Sequence, residues 1–126
     1  MVGCGNSKMS EEMATDGYPF IDNMDVSDIV VGQMREIYKT RFPGFEFNVM
    51  DATKMNYRDN SFDVCIDKGT FDALACGPDR TVFQNLMREM LRVAKHAVVV
   101  ISSGTPDRRM GYFNEFLEGR FSSIEH

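Results

Sequence analysis

The run Ala97-Val-Val-Val-Ile-Ser102 constrains the fold more than any other stretch of the chain. Its β-branched residues are continuous instead of alternating with polar ones, the mark of a strand covered on both faces, as in a parallel sheet. Parallel neighbours cannot be joined by a tight hairpin and need long crossover connections, usually helical. The remainder of the chain should therefore alternate strands with helices packed over them.

It does so from the start. Met9, Met13 and Ala14 recur at helical spacing through Ser7–Gly17, with Gly17 as the stop. Phe20–Asp25 is a brief strand ending on an acid, and Ser27 caps a helix from Asp28 to about Arg41 with a stripe of Val30, Val31, Met34, Ile37 and Tyr38. Phe45–Met50 and Phe62–Asp67 follow as strands, separated by Asp51-Ala-Thr and the polar turn Met55–Ser61. Lys68-Gly69-Thr70 breaks the second of these. Asp79 caps a helix through Ala94 whose broad apolar face runs from Val82 to Val93. After Pro106 a last helix turns Met110, Phe113, Phe116 and Leu117 inward and stops at Gly119, with Phe121–Glu125 opening another strand. The fold class is α/β: a three-layer Rossmann-like arrangement with a mostly parallel sheet.

At 126 residues, 43% of them hydrophobic, the chain is a single domain. A formal charge of −5 disfavours nucleic acid as a partner, because covering phosphates requires a surplus of Lys and Arg. Cys4, Cys65 and Cys76 form no metal-binding spacing and only two histidines are present, so no metal site is expected. No apolar run reaches membrane-spanning length, and free thiols suit the cytoplasm.

Chemistry enters at the strand ends. Met1–Ser7 reads as the last turn of a buried strand running into a glycine loop, in which Gly3 and Gly5 admit a tight turn and the close approach of a ligand. Asp25, twenty residues after Gly5, stands where a carboxylate accepts from the ribose hydroxyls of a nucleoside cofactor, or else is a turn acid. Asp51 either accepts from an adenine amine beside Ala52 or closes an Asx-turn. Asp67 either faces the same crevice or caps the segment Thr70–Ala75. A nicotinamide dinucleotide is disfavoured because the third glycine of its fingerprint falls on Lys8.

The loop Val2-Gly-Cys-Gly-Asn-Ser7, Asp25-Val-Ser, Met50-Asp-Ala-Thr and above all Ser61-Phe-Asp-Val-Cys-Ile-Asp-Lys-Gly-Thr-Phe-Asp-Ala73 resemble class I, seven-strand methyltransferases that use S-adenosylmethionine. Within them the chain is most similar to the branch that includes lysine methyltransferases of translation elongation factor 1-alpha. The resemblance implies that Gly3, Cys4, Gly5, Asn6 and Ser7 hold the methionine part of the cofactor. It also implies that Asp25 takes the ribose with Val26 beside the adenine, that Asp51 and Ala52 read the adenine, and that Asp67 and Lys68 lie near the sulfonium as catalytic residues, with Gly69 beside them. A protein lysine, with a translation factor as the kind of substrate, is the implied acceptor. Against this family the chain is truncated at the first strand and lacks the last, so an oligomer or assembly partner is expected to complete the sheet. A degenerate methyltransferase-fold subunit with an interaction role is the alternative.

Overall fold

The computed structural model describes residues 1–121. Two pairs of parallel strands form its centre. β1 (Ile21–Asp25) lies beside β2 (Phe45–Val49), with Ile21 opposite Phe45. β3 (Phe62–Lys68) lies beside β4 (Ala94–Ile101), with Cys65 opposite Val98. Residues 1–4 join the pairs. Val2 N–H donates to the Ile66 carbonyl and Cys4 N–H to that of Met24, each at 2.8 Å, while Met24 N–H donates to the Met1 carbonyl at 3.0 Å. Val2 forms a parallel bridge with Asp67. Across the sheet the order is thus β2, β1, residues 1–4, β3, β4, and the glycine loop leaves from the middle.

Helices α1 (Met9–Thr15) and α2 (Asp28–Tyr38) cover the β1–β2 half. Val31, Met34 and Tyr38 of α2 meet Ile21, Phe45 and Phe47 in one buried cluster. On the other side, α3 (Thr70–Ala75), α4 (Arg80–Val93) and α5 (Pro106–Phe121) supply Phe71, Phe83, Leu86, Met90, Val93 and Phe116 to a second cluster that also takes in Val2, Met24 and Cys65. The expected caps are in place: the side chain of Ser27 accepts from Val30 N–H and that of Asp79 from Thr81 N–H. A buried polar pair ties α1 to β1, where Ser10 Oγ donates to Asn23 Oδ1 at 2.6 Å.

Three expectations need correction. Among the described residues β4 is covered on one face only: Val98 and Val100 pack on the second cluster, but Val99 and Ile101 are 41% and 42% exposed, and Val64 of β3 is open on the same side. A β-branched run records which faces suit burial, whereas α1 and α2 sit over the other half of the sheet. α5 continues through Gly119 to Phe121, because a helical glycine costs only about 1 kcal/mol relative to alanine and does not itself end a helix. Residues 122–125 of the expected last strand lie outside the described residues. On α5, Tyr112 joins Phe113 and Phe116 at the core, while Met110 and Leu117 are exposed.

Candidate functional site

The glycine loop adopts the left-handed backbone its sequence calls for, with φ of +54° at Gly3 and +49° at Gly5. Gly3 is needed for a second reason. A Cβ there would stand 1.8 Å from Thr70 Oγ1, which donates to the Val2 carbonyl at 3.3 Å. The loop and the start of α3 are therefore interlocked. Asp25 ends β1 with each carboxylate oxygen engaged, Oδ2 accepting from Gly5 N–H and Oδ1 from Ser27 N–H, both at 2.9 Å. It fixes the loop and the N-terminus of α2 together, and each oxygen retains a lone pair for a further donor.

After β2, Asp51 Oδ1 accepts from the amide and hydroxyl of Thr53 at 2.8 and 2.7 Å, which is the Asx-turn. Those bonds hold its carboxyl below the ordinary range, so it is ionised at neutral pH. Oδ2 has no bond among the described residues. Asp67 ends the crevice side of β3 in a different state: it is fully buried, and its oxygens accept from Thr70 N–H at 3.0 Å and Phe71 N–H at 2.9 Å. Burial pushes its carboxyl above the usual value despite these bonds. It caps the first turn of α3 behind Gly69, whose φ is +95°. Burial likewise pushes the Cys4 and Cys65 thiols up to about 11, so neither is a nucleophile at neutral pH.

A cavity of about 680 Å³ opens where these strand ends meet. It brings together Gly3, Asp25, Val26, Asp51, Ala52, Lys68 and Gly69, from four separate strand ends. Cys4, Gly5, Asn6, Ser7 and Asp67 do not line it. Cys4 is buried in the first cluster, Asn6 is exposed, and the Ser7 hydroxyl accepts from Met9 N–H at 3.2 Å at the start of α1. Sequence reasoning missed the wall formed by Met24, Met50, Thr70, Ala73, Leu74 and Val82. Thr70, Ala73 and Leu74 follow directly on Asp-Lys-Gly, and a short helix capped by Asp67 would have placed them. Val26 is 75% exposed although apolar, which leaves a hydrophobic surface at the rim for a ligand to cover. Among the described residues no helix is long and apolar enough to cross a membrane.

Residues 1–101 match the family model described as "Methyltransferase domain". The chain belongs to this family. It is 40% identical over 95 residues to the human eEF1A lysine and N-terminal methyltransferase, covering 75% of this chain and 14% of that protein. The chain thus spans about one seventh of the length of that relative. Among solved structures, a SAM-dependent methyltransferase from Methanosarcina mazei superposes with a TM-score of 0.71 at 22% identity, over 93% of this chain and 57% of that one. The cyclase SpnF superposes with a TM-score of 0.63 at 27% identity, over 75% of this chain and 33% of its own. The same architecture thus also appears under the name of a cyclase, so reaction type has to be argued from the site.

Proposed function

We propose that the chain is the S-adenosylmethionine-binding part of a protein lysine methyltransferase acting on elongation factor 1A, in the cytoplasm. The observation that carries this reading is the cavity at the strand ends, which gathers Gly3, Asp25, Asp51 and Lys68. The residues fit the cofactor. Two left-handed glycines offer a cradle free of Cβ atoms, Asp25 has acceptor capacity for ribose hydroxyls, Asp51 is ionised with one oxygen free, and Val26 and Ala52 offer apolar surface for a purine. When bound, the cofactor supplies an electrophilic methyl group on a sulfonium.

The loop Gly3–Ser7 would hold the methionine part, with Gly3 at the cavity and Cys4 and Gly5, outside its lining, fixing the turn through their N–H bonds to the Met24 carbonyl and the Asp25 carboxylate. Transfer is an in-line displacement, so alignment is the main task of the protein, and proximity can contribute roughly 7–11 kcal/mol. An acceptor lysine must arrive neutral, and the apolar wall of Met24, Ala73, Leu74 and Val82 favours that form by disfavouring charge. Lys68 and Gly69 flank its entry. Asp67 acts from behind as the cap that sets their backbone, so its contribution is positional. The acidic balance suits a basic protein partner.

Calorimetric titration with S-adenosylhomocysteine tests the first half of the reading. Binding is expected for the wild type, and Asp25→Ala should weaken it roughly 10- to 100-fold, as removal of a charged acceptor does. Transfer of a labelled methyl group to purified elongation factor 1A, located by mass spectrometry, tests the second. A well-folded chain that gives no heat would sink the cofactor reading. A second role, as an interaction subunit, is favoured by the open face of Val64, Val99 and Ile101, and heat without transfer would support it.

A further inference from the structure

The flank of the crevice through which an acceptor would enter can be located from strand order, on the reading just given. With Asp25 at the end of β1 taking the ribose and Asp51 after β2 the adenine, the strand order β2, β1, residues 1–4, β3 would direct the reacting end of the cofactor toward residues 1–4 and β3. The next strand end outward is that of β4. Its register sets Lys68 opposite Ile101, so Ser102–Gly104 leaves the sheet beside Lys68 and Gly69. An acceptor approaching Lys68 from that side meets this loop.

Two side chains hold the loop, Asp72 from α3 and Arg109 from α5. Asp72, on the face of α3 turned away from the cavity, accepts from Ser102 Oγ at 2.5 Å, Ser103 N–H at 2.7 Å and Ser103 Oγ at 3.0 Å, and forms an ion pair with Arg109 Nη2 at 2.9 Å. Arg109, from α5, donates through Nε to the Ser103 carbonyl at 2.6 Å, and its guanidinium stands 5.6 Å from the Phe71 ring centroid. Gly104, at φ +103°, turns the chain so that Arg109 folds back over it. The side chains of Asp72 and Arg109 are only 18% and 15% exposed, so salt screens them less than a surface pair. A carboxylate with three hydrogen-bond donors, two of them from one loop residue, and an ion-pair partner is a strong and directional anchor. Thr70, Ala73 and Leu74, on other positions of the same six-residue helix, line the cavity. Asp72 therefore joins the cavity wall to the loop beyond it.

We propose that Asp72 is a positioning residue for the methyl acceptor: by drawing Ser102–Gly104 against α3 it sets the acceptor-side wall of the crevice beside Lys68 without touching the cofactor. The assignment separates the two binding events. The residues assigned above to the cofactor, Gly3, Asp25 and Asp51 among them, make no hydrogen bond to Asp72, whose partners are Ser102, Ser103 and Arg109.

The test uses the full chain with Asp72→Asn, which keeps the size of the side chain and removes its charge. A Ser102→Ala, Ser103→Ala double variant serves as the second probe, since it removes the two hydroxyl donors of the loop and leaves Asp72 with Arg109 and the backbone N–H of residue 103. In Asp72→Asn the KM for purified elongation factor 1A should rise roughly 10- to 100-fold, the scale of a small misplacement near the reacting group, with kcat changed far less. S-adenosylhomocysteine affinity should stay within about twofold, and hydrogen exchange at the Ser103 amide should accelerate. The double variant should move KM in the same direction by a smaller factor, and it decides the matter if Asp72→Asn does not fold. Cofactor affinity falling in step with turnover, unchanged exchange at Ser103, or an unmoved KM would each overturn the proposal. A wild type that methylates no elongation factor defeats the acceptor reading as a whole, whereas wild-type turnover with KM unmoved in the variants defeats Asp72 alone.

Discussion

Gly3 and Gly5 share a loop and nearly the same backbone angle, yet a methyl group added to each meets different surroundings. At Gly5 a Cβ finds nothing within 4 Å, so Gly5→Ala should cost only the left-handed backbone strain, about 1–2 kcal/mol. At Gly3 the same strain is joined by the overlap with Thr70 Oγ1, and either Thr70 or the loop must move. Gly3→Ala should therefore destabilise more than Gly5→Ala in urea titrations, and the pair Gly3→Ala with Thr70→Ala should recover part of the difference. Equal losses for the two single variants would show that the interlock contributes nothing. The glycines are legible in the sequence as turn formers. Their inequality is not, because it depends on a threonine 67 positions further on. The same holds for the aspartates. All three stand at or within two residues of a strand end, but one bridges two loops, one closes an Asx-turn and one is wholly buried, according to what the neighbouring backbone offers.

Among the elements, α3 contributes most for its length. Its six residues would be marginal as an isolated helix, and they persist because Asp67 caps them and Phe71 anchors them. The Phe71 ring is fully buried, with the centroids of Phe83 and Phe113 at 5.2 Å and that of Tyr112 at 5.9 Å. Phe71→Ala should cost about 3–5 kcal/mol, whereas Asp79→Ala, which removes the α4 cap at the exposed surface, should cost clearly less. Denaturant unfolding of both compares a core anchor with a helix cap. A Phe71→Ala loss no larger than that of Asp79→Ala would mean that α3 is held by its cap alone. The long helices α2 and α4 were legible because apolar periodicity and capping residues are local signals. α3 is legible only as one of two roles for Asp67, the cap of the segment Thr70–Ala75, since its helical signal lies in a residue that precedes it and in aromatic partners on α4 and α5.

For the whole molecule, acid stability follows from its partnered carboxylates. Hydrogen bonds from Arg92 hold Glu89 below its ordinary value, and that network also ties the Met55–Asp59 segment to α4 through the Met55 and Tyr57 carbonyls. Burial opposes the same shift at Asp72, yet Ser102, Ser103 and Arg109 prevail and lower it. A carboxyl whose folded-state value is depressed adds stability that is complete above its unfolded value, about 4, and disappears as pH falls through the folded one. Asp67, raised by burial, has the opposite sign: its charged form is disfavoured in the fold, and protonation relieves that penalty. Melting temperature should thus be level between about pH 7 and 5 and fall below about 4.5, with a shallower fall in Glu89→Gln. A melting temperature that rises on acidification would show that Asp67 outweighs the others. By itself the sequence determined the alternation of strands and helices, the acids at the strand ends and the family motif, because period, capping and turn chemistry act over a few neighbouring residues. Tertiary structure alone decided that residues 1–4 lie between β1 and β3, that one face of β4 stays open, that Asp67 turns inward and that Asp72 holds the β4–α5 loop. Each of these depends on contacts between segments far apart in the chain, and local propensity does not encode such contacts.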